Sequence, residues 1–116
     1  MKKLDWEKFE QYIVEKLKEI DPYCSRTPGS GNKNIKGDIY FSKPIPLHIE
    51  AKQRGTKDIT IRMDVWDKLK GEIPFYLNRT PVLALENKDK RRFAVLELDD
   101  FIELFLKLYK LENNEN

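Results

Sequence analysis

The chain has 116 residues, 40% hydrophobic and 36% charged, with 6 Phe, 5 Tyr, 2 Trp and one Cys; that describes one domain with a core and excludes a disordered chain, a disulfide scaffold and a Cys-rich zinc site. The apolar runs are short, Pro81-Val82-Leu83-Ala84-Leu85 being typical, so no segment is expected to span a bilayer, and the charged start offers no signal core; a cytoplasmic protein is the expectation. The formal net charge is only +2, but no acid lies between Asp21 and Asp38, where Arg26, Lys33 and Lys36 fall, and Lys52, Arg54 and Lys57 follow, a distribution suited to a local polyanion site.

Asp5 can N-cap a first helix running to about Ile20, stopped by Asp21-Pro22. Tyr23 to Arg26 is a short strand, and Thr27-Pro28-Gly29-Ser30-Gly31-Asn32 is a loop. Gly37 to Phe41 and Leu47 to Lys52 are strands joined across Pro44. A second helix covers Met63 to Gly71, and Pro74 ends it. Val82 to Glu86 and Phe93 to Leu98 are further strands, and Asp100 with Glu103 resembles a capping box opening a last helix to about Leu111. The order α-β-β-β-α-β-β-α predicts an α/β domain over residues 1–111: a central mixed five-stranded sheet flanked by helices, then a frayed polar tail over 112–116.

On a wheel of ~100° per residue, Trp6, Phe9, Ile13, Leu17 and Ile20 form one stripe of helix one, and Glu10 falls inside it at ~40° from Trp6. A carboxylate on a core-facing stripe is costly unless something pairs with it. Glu7 sits at the stripe's edge in the first turn, where the helix dipole accounts for an acid.

In Leu47-His48-Ile49-Glu50-Ala51-Lys52, period two puts His48, Glu50 and Lys52 on one face. Asp38 is as far before Pro44 as Glu50 is after it, so a regular antiparallel hairpin sets the two acids opposite each other, Cα atoms ~4.5–5.5 Å apart. Such carboxylates repel and raise each other's pKa unless a cation lies between them, and Mg²⁺ takes oxygen ligands of this kind. Alone, Glu-x-Lys reads as ordinary surface charge; its conjunction with Asp38, the basic Gly-rich loop and Glu10 points to a metal-dependent site. His48 reads as a plain strand histidine near that face, Trp66 as core, and Cys24 as a small buried apolar residue.

Gly37-Asp38 followed by Glu50-Ala51-Lys52 resembles the D…(D/E)-x-K signature of the PD-(D/E)XK nuclease superfamily. With Arg26-Thr27-Pro28-Gly29-Ser30-Gly31, Lys36-Gly37-Asp38-Ile39 and Glu10-Gln11-Tyr12-Ile13, the chain resembles the small Holliday junction resolvases of archaea and their phage or viral relatives, over about residues 5–100. The resemblance implies a restriction-endonuclease-like core with Glu10, Asp38, Glu50 and Lys52 as catalytic residues, with Glu7 competing for the place of Glu10. It further implies Mg²⁺, with Mn²⁺ able to substitute, on Asp38, Glu50, the Ala51 carbonyl and Glu10. Ser30 matches a loop serine that approaches the DNA backbone. The family's Pro before the Asp is Gly37 here.

The expected function is then metal-dependent cleavage of four-way DNA junctions by phosphodiester hydrolysis, as a homodimer. Arg26, Lys33, Lys36, Arg54, Lys57 and Arg62 are the candidate phosphate contacts. The last helix carries only Glu103, Lys107 and Lys110 as polar residues between Phe101 and Leu111, so a second apolar face against a partner is expected, in line with the family's dimers. The rival readings are a nuclease of the same superfamily for another DNA structure or site, a DNA-binding module without catalysis, and a scaffold without a nucleic-acid role.

Overall fold

The computed structural model describes residues 4–27 and 38–113. In chain order these form α1 (Asp5–Leu17), β1 (Ser25–Arg26), β2 (Ile39–Tyr40), β3 (Leu47–Gln53), α2 (Met63–Gly71), β4 (Thr80–Glu86), β5 (Arg92–Val95) and α3 (Leu98–Glu112). The order of elements is the expected one, and the chain is α/β.

The strands divide differently from the single five-stranded sheet expected. β1 and β2 form an antiparallel two-stranded ribbon, with Ser25 opposite Tyr40 and Arg26 opposite Ile39. β3, β4 and β5 form a mixed sheet in that order, β3 parallel to β4 and β5 antiparallel to it. α2 makes the crossover that two parallel neighbours require.

Alternation along the strands sorts side chains into two layers. Ile49 of β3 and Val82 of β4, opposite each other, join Val14 of α1, Cys24, Ile39 and Phe41 in one core cluster. Leu83 and Leu85 turn the other way and pack with Trp66 and Leu69 of α2. Parallel register pairs Glu50 with Leu83 and Lys52 with Leu85. Glu50 and Lys52 therefore share the α2 side of the sheet, whereas Glu10 comes from the α1 layer.

Several boundaries shift. α1 ends at Leu17 in a turn, and Leu4, not Asp5, occupies its N-cap without a side-chain hydrogen bond. α3 starts at Leu98 after Glu97, so the Asp100/Glu103 capping box does not form; Glu103 pairs instead with Lys107 at 3.3 Å. Glu97 is bound from α2, by the Trp66 indole N–H at 2.8 Å and by Lys70 at 3.0 Å, which anchors the start of α3. Fully buried Asp21 accepts hydrogen bonds from the Ser42 hydroxyl and the Ser42, Lys43 and Tyr23 N–H groups, fastening the end of α1 to the β2–β3 connection. No helix among the described residues is long and apolar enough to cross a membrane.

Candidate active site

The expected hairpin opposing Asp38 and Glu50 is replaced by a less regular contact, made in part through the Asp38 side chain. β2 takes its ladder from β1, and Thr27 N–H donates to the Asp38 carbonyl at 3.0 Å, prolonging that ribbon. Towards β3, Asp38 N–H donates to the carbonyl of Ile49 at 2.9 Å, not to that of Glu50. The Asp38 side chain supplies the next bond: its Oδ2 accepts the Ala51 N–H at 2.7 Å. The carboxylate thus lies on the main chain of the Glu50-Ala51-Lys52 segment, although the pairing register differs from the symmetric one. This side-chain bond also satisfies an N–H that a regular ladder would have given to a carbonyl.

Both acids are reluctant anions. Burial raises the Asp38 pKa above its ordinary value; the Ala51 N–H and the Lys52 charge oppose this, and Glu72 adds to it. Burial likewise raises Glu50; Lys52, whose Nζ lies 3.9 Å from Glu50 Oε1, opposes it, while Asp38 and Glu72 reinforce it. Of the mutual repulsion expected from the sequence, the effect of Asp38 on Glu50 is present, secondary to burial; Asp38 itself is raised by burial and by Glu72.

Glu10 is buried in α1, as the wheel predicts, although Trp6 and Ile20 of the same stripe are exposed. Its partner is Arg26, whose Nε donates to Glu10 Oε1 at 2.9 Å while Nη1 lies 3.7 Å from Glu7 Oε2. The guanidinium also stands 5.5 Å from the centre of the Trp6 ring. Glu7 and Glu10 therefore share one arginine, and Arg26, expected to face DNA phosphate, is engaged by the protein itself. Burial still raises the Glu10 pKa; Arg26 opposes it, and the charge of Asp38 adds to the rise.

Two residues at this site escaped the sequence reading. His48, read as a plain strand histidine, is almost wholly buried in β3, its Nε2 3.7 Å from Glu72 Oε1. Neither atom has a hydrogen-bond partner among the described residues. Burial pushes the imidazole pKa down against the pull of Glu72. Glu72, just past α2, is a third acid whose charge is felt by both Asp38 and Glu50. The only local signal for it was an acid directly following the helix that crosses over from β3.

Of the expected phosphate contacts, Arg54 and Arg62 line one recess of about 220 Å³ together with Lys52, Ile59, Thr60, Ile61 and Val65. Arg62 is well exposed and forms an ion pair with Asp64 at 3.0 Å. Lys57 is exposed on the neighbouring segment, where its carbonyl accepts the Asn87 amide. Ser30, Lys33 and Lys36 lie outside the described residues.

The donor set suits a hard divalent cation. Asp38 and Glu50 offer carboxylate oxygens whose charge is poorly compensated, and Mg²⁺ is commonly held by one or two carboxylates with waters and a substrate phosphate completing its shell. No group of three or more His, Cys, Asp or Glu among the described residues gathers closely enough to hold an ion. Compared with family models, curated proteins and solved structures, the chain matches none of them.

Proposed function

We propose that this chain is a metal-dependent endonuclease that hydrolyses phosphodiester bonds in branched DNA, four-way junctions in particular, with a PD-(D/E)XK-type site. The observation that carries the reading is the Asp38 carboxylate fastened to Ala51, between Glu50 and Lys52. The choice of four-way junctions rests on the sequence resemblance.

Asp38 and Glu50 are the residues that would hold Mg²⁺ or Mn²⁺, with the Ala51 carbonyl and Glu10 as further candidates. When bound, such an ion polarises the scissile phosphate and acidifies a coordinated water. Lys52, on the same sheet face as Glu50, offsets charge growing on the phosphate and orients the attacking water. Arg54 and Arg62 beside it draw in the backbone without reading bases. Glu10 adds negative charge near Asp38, held in place by Arg26. The water oxygen would bond to phosphorus as the bond from phosphorus to the 3′ oxygen breaks, the 3′ oxygen taking a proton from solvent to leave as a hydroxyl, so that a 5′-phosphate remains as the resemblance implies. Paired cuts across a junction call for two copies of the site.

The test is incubation of the protein with a four-way junction and with linear duplex of the same sequence, each with Mg²⁺ and with chelator. Metal-dependent cutting of the junction in preference to the duplex supports the reading. Cutting of both alike moves the assignment to another nuclease substrate, and binding without cutting under every metal overturns it.

A further inference from the structure

The sheet face that carries Glu50 and Lys52 has a second opening. Register sets Lys52 opposite Leu85 and Leu85 opposite Phe93, so the three side chains form one row across that face. Phe93, on the edge strand β5, stands two strand spacings, ~10 Å, from Lys52. Leu85 between them is buried, but Phe93 is 46% exposed. α2 packs Trp66 and Leu69 on Leu83, Leu85 and Val95 and stops short of Phe93. Phe93 borders a recess of about 520 Å³ together with Lys57, Asp58, Asp89 and Arg91. Its apolar wall of Ile59, Ile61 and Leu85 is shared with the recess that holds Lys52, Arg54 and Arg62, so the two openings adjoin.

We infer that this second recess receives one unpaired nucleobase of the DNA strand whose backbone crosses the recess of Lys52. The inference rests on the nuclease reading and narrows its substrate to branched DNA with an unpaired base beside the branch. Charge selects the occupant. Lys57 and Arg91 balance Asp58 and Asp89, and the side chains of these four form no hydrogen bond or ion pair among the described residues. Free carboxylates in a recess without net charge repel a phosphate and suit a neutral ring that donates hydrogen bonds. Cytosine, adenine and guanine carry such an amino group, and thymine does not. The base stacks on Phe93, whose ring centre already lies 5.5 Å from the Arg91 guanidinium, and its amino group donates to Asp58 or Asp89. Phosphates leading to the base pass Arg54 and Arg62 in the adjoining recess. The volume lies within the ~300–1,000 Å³ of ordinary small-ligand sites.

The test measures, in chelator, the affinity of the full chain for a fully paired four-way junction and for the same junction with one unpaired cytosine or thymine at the branch. The cytosine junction is expected to bind ~5-fold or more tighter than the paired one, and the thymine junction to gain less. Phe93→Leu, which keeps the edge strand apolar, removes the gain and leaves affinity for the paired junction within about 2-fold, whereas Phe93→Tyr retains the gain. Replacing Asp58 and Asp89 together by Ala makes cytosine and thymine equal. Equal binding of the paired and cytosine junctions overturns the inference, as does a gain that survives Phe93→Leu. Thymine favoured as strongly as cytosine overturns the role of the carboxylates. Cutting of the paired junction with Mg²⁺ is followed alongside. Metal-dependent cutting without the gain overturns the base recess and leaves the nuclease reading standing, a gain without cutting does the reverse, and binding to none of the junctions overturns both.

Discussion

The carboxylate of Asp38 accepts the main-chain N–H of Ala51 at 2.7 Å, in place of the carbonyl that a regular hairpin would have supplied. One acid from the ribbon is thereby fixed against the strand that carries Glu50 and Lys52. An amide oxygen at position 38 can accept the same bond, so Asp38→Asn removes charge while leaving the geometry available. Asp38→Asn and Glu50→Gln are each expected to lower metal-dependent cleavage ~100-fold or more and to leave junction binding in chelator unchanged. Gel-based cleavage and binding assays check this, and an Asp38→Asn protein cutting at the wild-type rate contradicts the metal assignment.

The raised Glu50 pKa sets a stability prediction. Its folded-state pKa lies above the ordinary 4.5, so the folded protein takes up this proton before the unfolded chain does. At pH above both the folded and the unfolded pKa, the group is charged in both states and the fold bears the cost of burying the charge. Metal-free Glu50→Gln should therefore melt higher than wild type at pH 8, and the gap should close as the pH falls towards 4.5 and below. Added Mg²⁺ should raise the melting temperature of wild type and not of Glu50→Gln, since the ion stabilises only the form that binds it. Thermal melts across this range, with and without chelator, read both effects.

Glu10 and Glu7 are separable through Arg26. The 2.9 Å bond goes to Glu10, while Glu7 lies at 3.7 Å, and Asp38 contributes to the raised pKa of Glu10. Glu10→Gln is expected to slow cleavage by ~10-fold or more, and Glu7→Gln by less than about 2-fold. Removing the guanidinium in Arg26→Ala leaves a buried acid without its partner, costing ~1–3 kcal/mol at neutral pH. Rate assays and chemical denaturation separate the two roles, and equal rates for Glu7→Gln and Glu10→Gln would contradict the assignment of Glu10.

Lys52, Arg54 and Arg62 should divide their labour. Arg54→Ala and Arg62→Ala are each predicted to weaken DNA binding alike across sequences and to reduce the slope of log K against log salt by ~1. Lys52→Ala should slow cleavage much more than it weakens binding. Binding titrations over a salt series show whether the two arginines meet phosphate.

Much of the framework was legible because local pattern and tertiary packing agree. The limits of α2 follow from its spacing of Val65, Trp66 and Leu69 and from Pro74 beyond its end. β3 follows from its alternation, and the burial of Glu10 from the helix wheel. What escaped was set by distant groups. The Glu10–Arg26 pair joins residues sixteen apart with no period linking them. The Ala51 N–H turns to a side chain because β2 is committed to β1, a choice that hairpin symmetry around Pro44 does not encode. Glu72 reaches the site only because α2 packs where Trp66 and Leu69 bury against Leu83 and Leu85. The apolar stripe of α3 was visible in the sequence, but which side faces the domain depends on Leu104 and Asp100 meeting the body.

The most direct test of the central claim is calorimetric titration of the protein with Mn²⁺ at pH 8, comparing wild type with Asp38→Asn and Glu50→Gln. Saturable binding to wild type that each substitution abolishes is the predicted result. Equal binding by all three proteins, or none by wild type even with a non-cleavable junction present, would contradict the claim that Asp38 and Glu50 together hold the cation.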